Sequence, residues 1–176
     1  MSDASPSPRL VDLITAAKRA GEISQLVEAV PYANFLGVRV IRVDGELLGH
    51  LRFAEHLIGN PYLPALHGGV LGALLESTAI FQLMWETEAI VLPKTITLTV
   101  DYLRPGRPVD TFARGILTRQ GRRVANVRIE AWQEDRSRPI AVASAHFLIE
   151  TAGGPGLPEL PELPNIPETA EPPARP

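Results

Sequence analysis

A His-Gly-Gly turn at residues 67–69 precedes a long apolar segment, and this segment carries a single carboxylate, Glu76. Adjacent glycines such as Gly68 and Gly69 let a backbone approach a bound group closely and adopt strained φ and ψ angles. The first turn of a helix also leaves several backbone N–H groups unpaired. Together these features predict a pocket of N–H donors, with His67 beside it, that can stabilise a developing oxyanion.

The segment from Val70 to Trp85 is apolar nearly all round, so we expect it to form a buried helix. At helical spacing the neighbours of Glu76 are all small or apolar, namely Gly72, Ala73, Ala79, Ile80 and Leu83. Burial of an unpaired carboxylate is costly, which leaves three interpretations. Glu76 is paired with an arginine or a helix N-terminus of a neighbouring subunit, it is protonated, or it faces a cleft that uses it. The turn nine residues earlier favours the cleft.

The composition predicts one compact domain with a small-molecule partner. The chain has 176 residues, of which 45% are hydrophobic, enough for a core without covalent staples. A formal net charge of −3 and scattered arginines argue against a nucleic-acid surface. Because cysteine is absent, disulfides, thiolate metal sites and a cysteine nucleophile are excluded. The other histidines, His50, His56 and His146, lack metal-ligand spacing, so we expect no metal and no cofactor.

The N-terminal residues lack the basic and apolar regions of a signal peptide, and no apolar run is expected to be long enough to span a bilayer. The sequence therefore predicts a soluble cytoplasmic protein with no membrane partner.

Strands and helices must position the turn and the carboxylate. Apolar residues recur at helical spacing from Pro8 to about Val30, which predicts one amphipathic helix or a pair interrupted at Gly21. A strand from Phe35 to Val43, a tight turn at Asp44-Gly45 and a strand from Glu46 to about Phe53 predict a hairpin. Four further strands are predicted after the central helix, at Thr95–Leu103, Thr111–Arg119, Arg123–Gln133 and Ile140–Glu150. This order predicts an α+β fold in which an antiparallel sheet wraps around the one helix that has no polar side.

The C-terminal segment differs in kind from the rest. It carries eight prolines after residue 150, and those from Pro155 to Pro167 fall at every third position, which is the repeat of a polyproline II helix. A disordered acidic tail and a tail whose Leu/Ile stripe docks on the domain or a neighbouring subunit both fit this pattern. We divide the chain into a helical segment 1–30, a domain 31–151 and a Pro-rich tail 152–176.

Four features carry a resemblance to a known family. They are the His67-Gly68-Gly69 turn, the acid nine positions after the histidine, Asn60 before the turn, and Tyr102-Leu103-Arg104-Pro105 at the end of the first strand after the helix. From about Val30 to Glu150 the chain resembles hotdog-fold acyl-CoA thioesterases of the phenylacetyl-CoA thioesterase-like (PaaI-like) group.

The resemblance implies a curved antiparallel sheet around a central helix. It also implies a homodimer whose sheets join edge to edge, often doubled to a dimer of dimers, with acyl-CoA bound at the subunit interface. The turn of one subunit would then face Glu76 of the other, with the N–H of Gly68 or Gly69 as the oxyanion hole. Glu76 would act as general base or as nucleophile, Asn60 would orient the water or the thioester, and His67 would hold the turn or touch the carbonyl.

Two positions depart from the family pattern. The acid is Glu76 where many members have aspartate, and Asn60 stands seven residues before His67 instead of six, where this chain has Pro61. A CoA substrate carries phosphates, which arginine binds through two N–H groups at once. Four arginines at predicted strand ends and turns are candidates for this role, Arg104, Arg107, Arg122 and Arg123.

Two other functions remain open. The segment from His56 to Pro64 faintly resembles the His-x-x-Gly-x-Pro-x-x-Pro loop of hotdog dehydratases, which favours a hydratase or dehydratase acting on acyl thioesters. A hotdog dimer could also bind acyl-CoA or a fatty ligand without turning it over. The sequence does not identify the acyl group.

Overall fold

A computed structural model describes residues 15–17, 19–21, 23, 27–28, 30–87 and 92–149 of the chain. The Pro-rich tail and the first part of the predicted leading helix lie outside these residues. Of that leading segment, residues 15–17, 19–20 and 27–28 are helical, and Gly21 forms a turn with a φ of 70° between them. The predicted interruption at Gly21 is therefore confirmed.

Two helices, a short 3₁₀ helix and eight strands make up the rest of the described chain. In order they are α1 (Pro31–Leu36), β1 (Val38–Val43), β2 (Glu46–Leu51), the 3₁₀ turn (Glu55–Leu57), β3 (Ile58–Asn60), β4 (Ala65–Leu66), α2 (Gly68–Glu86), β5 (Lys94–Tyr102), β6 (Thr111–Gln120), β7 (Val124–Trp132) and β8 (Ala141–Leu148).

Six of the strands form one antiparallel sheet in the order β1-β2-β6-β7-β8-β5, and β3 and β4 form a separate small pair. The sheet packs around α2, whose residues Leu74, Leu75 and Leu83 are fully buried in the main core. The predicted α+β architecture, with the sheet around the apolar helix, is confirmed. β5 lies at one edge of the sheet, and its burial pattern is mostly exposed.

α2 approaches the sheet closely because two strand positions that face it are glycines. A Cβ atom on Gly49 would lie 2.0 Å from the Thr78 hydroxyl oxygen, and one on Gly115 would lie 3.1 Å from Cβ of Gln82. The Thr78 hydroxyl itself donates to the Leu74 carbonyl at 2.7 Å, so the helix keeps this buried polar group satisfied.

α2 is long and apolar enough to cross a membrane by length and composition alone, so the expectation that no run reaches that length is wrong. More than half of its apolar window is buried inside the fold, which is typical of the core helix of a globular domain.

Two local predictions are also wrong. The strand expected from Phe35 begins at Val38, because Pro31 starts a helical turn and Gly37, with a φ of 74°, ends it. The short strands β3 and β4 were not expected. The predicted hairpin turn is confirmed, since Asp44 and Gly45 have φ angles of 50° and 83°, as a tight two-residue turn requires.

Candidate active site

His67 caps the N-terminus of α2. Its Nδ1 atom accepts the N–H of Gly69 at 3.0 Å, and its carbonyl accepts the N–H of Val70 at 2.9 Å. Its own N–H donates to the carbonyl of Leu57 at 2.9 Å, which ties the turn to the 3₁₀ segment. Because Nδ1 is an acceptor here, it carries no proton, and Nε2 is the ring nitrogen left to donate.

Gly68 and Gly69 provide space, not an unusual backbone. Neither has a positive φ, so the expectation of strained angles is wrong, and both belong to α2. A Cβ atom on Gly68 would lie 3.3 Å from the Tyr102 ring, and one on Gly69 would lie 3.0 Å from Nδ1 of His67. A larger residue at either position would have to displace the side chains that frame the turn by a few tenths of an ångström.

The two glycine N–H groups have different surroundings. The Gly69 N–H is engaged by His67. In the part of the chain that the structure describes, the Gly68 N–H has no acceptor. At the first turn of a helix such a donor also feels the positive end of the helix dipole. Of the two predicted oxyanion donors, the geometry leaves Gly68 available.

Tyr102, at the end of β5, contacts the same turn. Its hydroxyl donates to the Gly68 carbonyl at 2.8 Å. The sequence marked Tyr102 only as part of the family resemblance and predicted no role for it, because the contact joins elements 34 residues apart.

Glu76 lies two turns further along α2 and is partly buried. Its Oε1 atom accepts the hydroxyl of Thr95 at 2.6 Å, a short bond of the kind that carboxylates make. No arginine or lysine forms an ion pair with Glu76 among the described residues. Thr95 was not predicted as a site residue, since nothing in the sequence indicates which residue of β5 faces the helix.

Gly68 and Glu76 do not meet within one chain. They stand eight residues apart on the same helix, which corresponds to about 12 Å along its axis at 1.5 Å per residue. A single thioester carbonyl cannot contact both groups of the same subunit.

Asn60 holds the loop before the turn. Its side-chain oxygen accepts the N–H groups of Tyr62 at 3.0 Å and Leu63 at 3.4 Å, as in an Asx turn. The neighbouring Gly59 packs directly on His67, because a Cβ atom there would lie 2.8 Å from Cα of His67. The side-chain oxygen of Asn60 is thus engaged by the loop, and its side-chain amide nitrogen remains as a possible donor to a ligand.

Arg104 and Arg107 border a cleft of about 560 Å³. Its lining residues are Arg104, Pro105, Arg107, Gln133, Glu134, Asp135, Arg138 and Ile140. Arg104 donates to the Pro139 carbonyl at 2.5 Å, and Arg107 pairs with Glu134. The pKa of Asp135 lies below its usual range because the side chain and backbone N–H of Ser137 donate to it. Asp135 therefore stays charged in the cleft at neutral pH.

A second pocket of about 330 Å³ adjoins this cleft, with which it shares Arg104 and Pro105. Gly68 and Tyr102 also line this second pocket. Arg122 and Arg123 are exposed in the turn between β6 and β7. Because β6 has ten residues, that turn lies about 30 Å from the Arg107 end of the strand. Of the four candidate arginines, Arg104 lines the pocket beside Gly68 and Arg107 lines only the adjoining cleft. Arg122 and Arg123 line neither.

Comparisons with known proteins identify the family and the fold of the chain. A family model described as "Thioesterase superfamily" matches residues 63–140. The chain is 31% identical over 149 residues to the medium/long-chain acyl-CoA thioesterase YigI of Escherichia coli K12, covering 76% of this chain and 94% of YigI.

Solved structures share the fold. A protein of Chromobacterium violaceum is 41% identical, with a TM-score of 0.66 over 79% of this chain and 97% of its own. The E. coli PaaI protein of the phenylacetic acid degradation operon is 20% identical, with a TM-score of 0.58 over 69% of this chain and 88% of its own, a likeness of fold. The chain therefore belongs to the thioesterase superfamily and has the hotdog fold of the thioester hydrolases that its sequence resembles.

Proposed function

We propose that this thioesterase hydrolyses acyl-CoA thioesters in active sites formed between two copies of the chain. The observation that carries the proposal is the available Gly68 N–H at the start of α2, beside a cleft bordered by Arg104 and Arg107. The similarity to YigI, a medium/long-chain acyl-CoA thioesterase, supports the substrate class.

The edge strand β5 supports a shared site. Ile96 on this strand is 56% exposed, which leaves apolar surface at an unpaired sheet edge that a second edge strand would cover. Antiparallel pairing of two β5 strands about a two-fold axis at the central residue, Leu98, would set Thr95 opposite Asp101 of the partner subunit. Glu76, which Thr95 contacts, would then lie near the partner's Tyr102 and Gly68. Association of two such dimers is compatible with this arrangement.

In the proposed reaction, the Gly68 N–H donates to the thioester carbonyl oxygen and stabilises the negative charge that develops there. Loss of one such donor typically lowers the rate about 100- to 1000-fold. His67 holds the turn through Nδ1, and Asn60 keeps the adjoining loop in shape.

Glu76 of the facing subunit acts on the thioester carbonyl carbon by one of two routes, through an activated water or by direct attack. As general base, it takes a proton from water while the water oxygen bonds to the carbonyl carbon. The C–S bond then breaks, and the proton passes to the departing CoA thiolate. As nucleophile, a carboxylate oxygen attacks the carbonyl carbon, CoA leaves, and water opens the resulting anhydride. Both routes release the free acid and CoA.

The phosphates of CoA would bind along the cleft of Arg104 and Arg107. Both arginines already have partners there, so binding would exchange the Glu134 carboxylate for a phosphate oxygen on Arg107. Arg122 and Arg123 lie in the β6–β7 turn, at the opposite end of these strands. We therefore do not assign them to the phosphate site of the same subunit.

The first prediction tests the proposed function. Purified protein is assayed against a panel of acyl-CoAs with a thiol-detecting reagent, which reports only released CoA because the chain has no cysteine. We expect wild-type protein to release CoA and Glu76→Gln to lose at least about 1000-fold in kcat, since the amide can neither accept a proton nor attack.

The matched control is Glu86→Gln, an exposed carboxylate at the far end of the same helix that contacts Gln82. Its kcat should stay within about twofold of wild type. Absence of CoA release from folded wild-type protein, or full activity in Glu76→Gln, would reject the proposed function.

A further inference from the structure

Tyr102 contacts the catalytic turn without serving as a core residue. Its ring lies against Gly68 and Gly72, where a Cβ atom would come within 3.3 Å and 3.7 Å of ring or hydroxyl atoms. The side chain is nevertheless 54% exposed, so it contributes little to the hydrophobic core. Its directional contact is the hydroxyl, which donates to the Gly68 carbonyl at 2.8 Å.

This hydrogen bond completes the restraint of one peptide unit. The Gly68–Gly69 peptide has its carbonyl oxygen held by Tyr102 and its N–H held by Nδ1 of His67 at 3.0 Å. A helical carbonyl normally accepts one N–H from the next turn, and its second lone pair can accept the tyrosine hydroxyl.

The preceding peptide unit is restrained as well. The carbonyl of His67 accepts the N–H groups of Val70 at 2.9 Å and Leu71 at 3.3 Å. The Gly68 N–H belongs to this same unit, and Cα of Gly68 joins that unit to the Gly68–Gly69 peptide. Since glycine has the largest backbone freedom of any residue and helix termini fray, these contacts fix the direction of that N–H.

We infer that Tyr102 is a positioning residue, whose hydroxyl holds the Gly68–Gly69 peptide so that the Gly68 N–H points at the thioester oxygen. The inference rests on the proposed function, because it assigns the Gly68 N–H to the oxyanion. An oxyanion hole stabilises the transition state only if its donors are oriented before the charge develops. The hydroxyl is thus predicted to affect the chemical step more than substrate binding.

The test is Tyr102→Phe in the full chain, which keeps the ring and removes the hydroxyl. We expect kcat to fall about 10-fold while KM for the acyl-CoA changes less than about twofold, since the lost interaction acts in the transition state. The control is Tyr62→Phe, whose side chain is 97% exposed and whose hydroxyl makes no hydrogen bond within the described residues. It should leave both constants unchanged.

Amide hydrogen exchange gives a readout that does not depend on activity. The Gly69 amide, which is hydrogen-bonded to His67, should exchange about 10-fold faster in Tyr102→Phe than in wild type, while amides in the middle of α2 remain unchanged. Unchanged exchange together with unchanged kcat would overturn the inference, and a general rise in exchange along α2 would assign Tyr102 to stability instead. If wild-type protein releases no CoA, the proposed function fails, and the exchange data still decide whether Tyr102 restrains the turn.

Discussion

Gly68 and Gly69 are adjacent and chemically identical, yet their N–H groups have different partners. His67 accepts the N–H of Gly69, whereas that of Gly68 has no acceptor among the described residues. The sequence predicts a pocket of N–H donors from the two glycines and the helix start. It does not predict which donor is available, because that depends on how the His67 ring turns back onto the helix.

The hydrogen bond from Thr95 to Glu76 leads to a prediction about a single residue. Thr95→Val keeps the shape of the side chain but removes the hydroxyl that donates to Glu76 at 2.6 Å. The carboxylate then loses the partner that holds it toward the sheet edge. We expect kcat for acyl-CoA hydrolysis to fall about 10-fold, measured by thiol release with the stability checked by urea unfolding.

Thr97→Val is the matched comparison for this prediction, because Thr97 is an exposed threonine of the same strand without a side-chain bond to Glu76. Equal losses in both variants would mean that the hydroxyl of Thr95 has no particular role. Thr95 and Tyr102 could not be found from the sequence, since each acts through a contact between distant elements.

The strands were more predictable than the irregular segments. β5, β6, β7 and β8 begin and end within two residues of their predicted bounds, because alternating β-branched residues and clear turn signals define them. The sequence does not predict α1, because Phe35 and Leu36 continue the apolar run of β1 and hide the helix that Pro31 starts and Gly37 ends. β3 and β4 are too short to have a sequence pattern. They form around a tertiary contact, the bond from the His67 N–H to the Leu57 carbonyl.

The packing of α2 on β2 leads to a prediction at the scale of elements. In Gly49→Ala the new methyl group would meet the Thr78 hydroxyl oxygen at 2.0 Å, which is impossible unless the Thr78 side chain or the helix shifts. We expect a loss of about 1–3 kcal/mol in the free energy of unfolding, measured with urea.

The double variant Gly49→Ala, Thr78→Ala identifies the cause of that loss. Removal of the hydroxyl removes the nearest clashing atom and leaves Cβ of Thr78 at 3.2 Å. The double variant should therefore be more stable than the sum of the two single effects by about 1 kcal/mol. Simple additivity would show that the clash is not what destabilises Gly49→Ala.

At the scale of the whole molecule, we propose that a single chain presents two half-sites. The Gly68 turn lies at one end of β5, where the Tyr102 hydroxyl donates to the Gly68 carbonyl. Glu76 lies near the other end, where it accepts the Thr95 hydroxyl. The sequence alone contains both groups and does not indicate whether one site takes them from the same subunit or from two. Only the family resemblance suggested a shared site, and the 12 Å helix rise between Gly68 and Glu76 now gives a physical reason for it.

Complementation between two damaged subunits tests this arrangement directly. Glu76→Gln damages one half-site, and Gly68→Ala damages the other because its methyl group would lie 3.3 Å from the Tyr102 ring. Each variant is first shown to be inactive as a homodimer, and the two are then co-expressed with different affinity tags and purified as a heterodimer. If each site takes Gly68 from one subunit and Glu76 from the other, the heterodimer has one intact site and one doubly damaged site. Its thiol release should then recover to about half of the wild-type rate per dimer. If both groups of a site came from the same subunit, every site in the heterodimer would carry one lesion, and the heterodimer would stay as inactive as its parents.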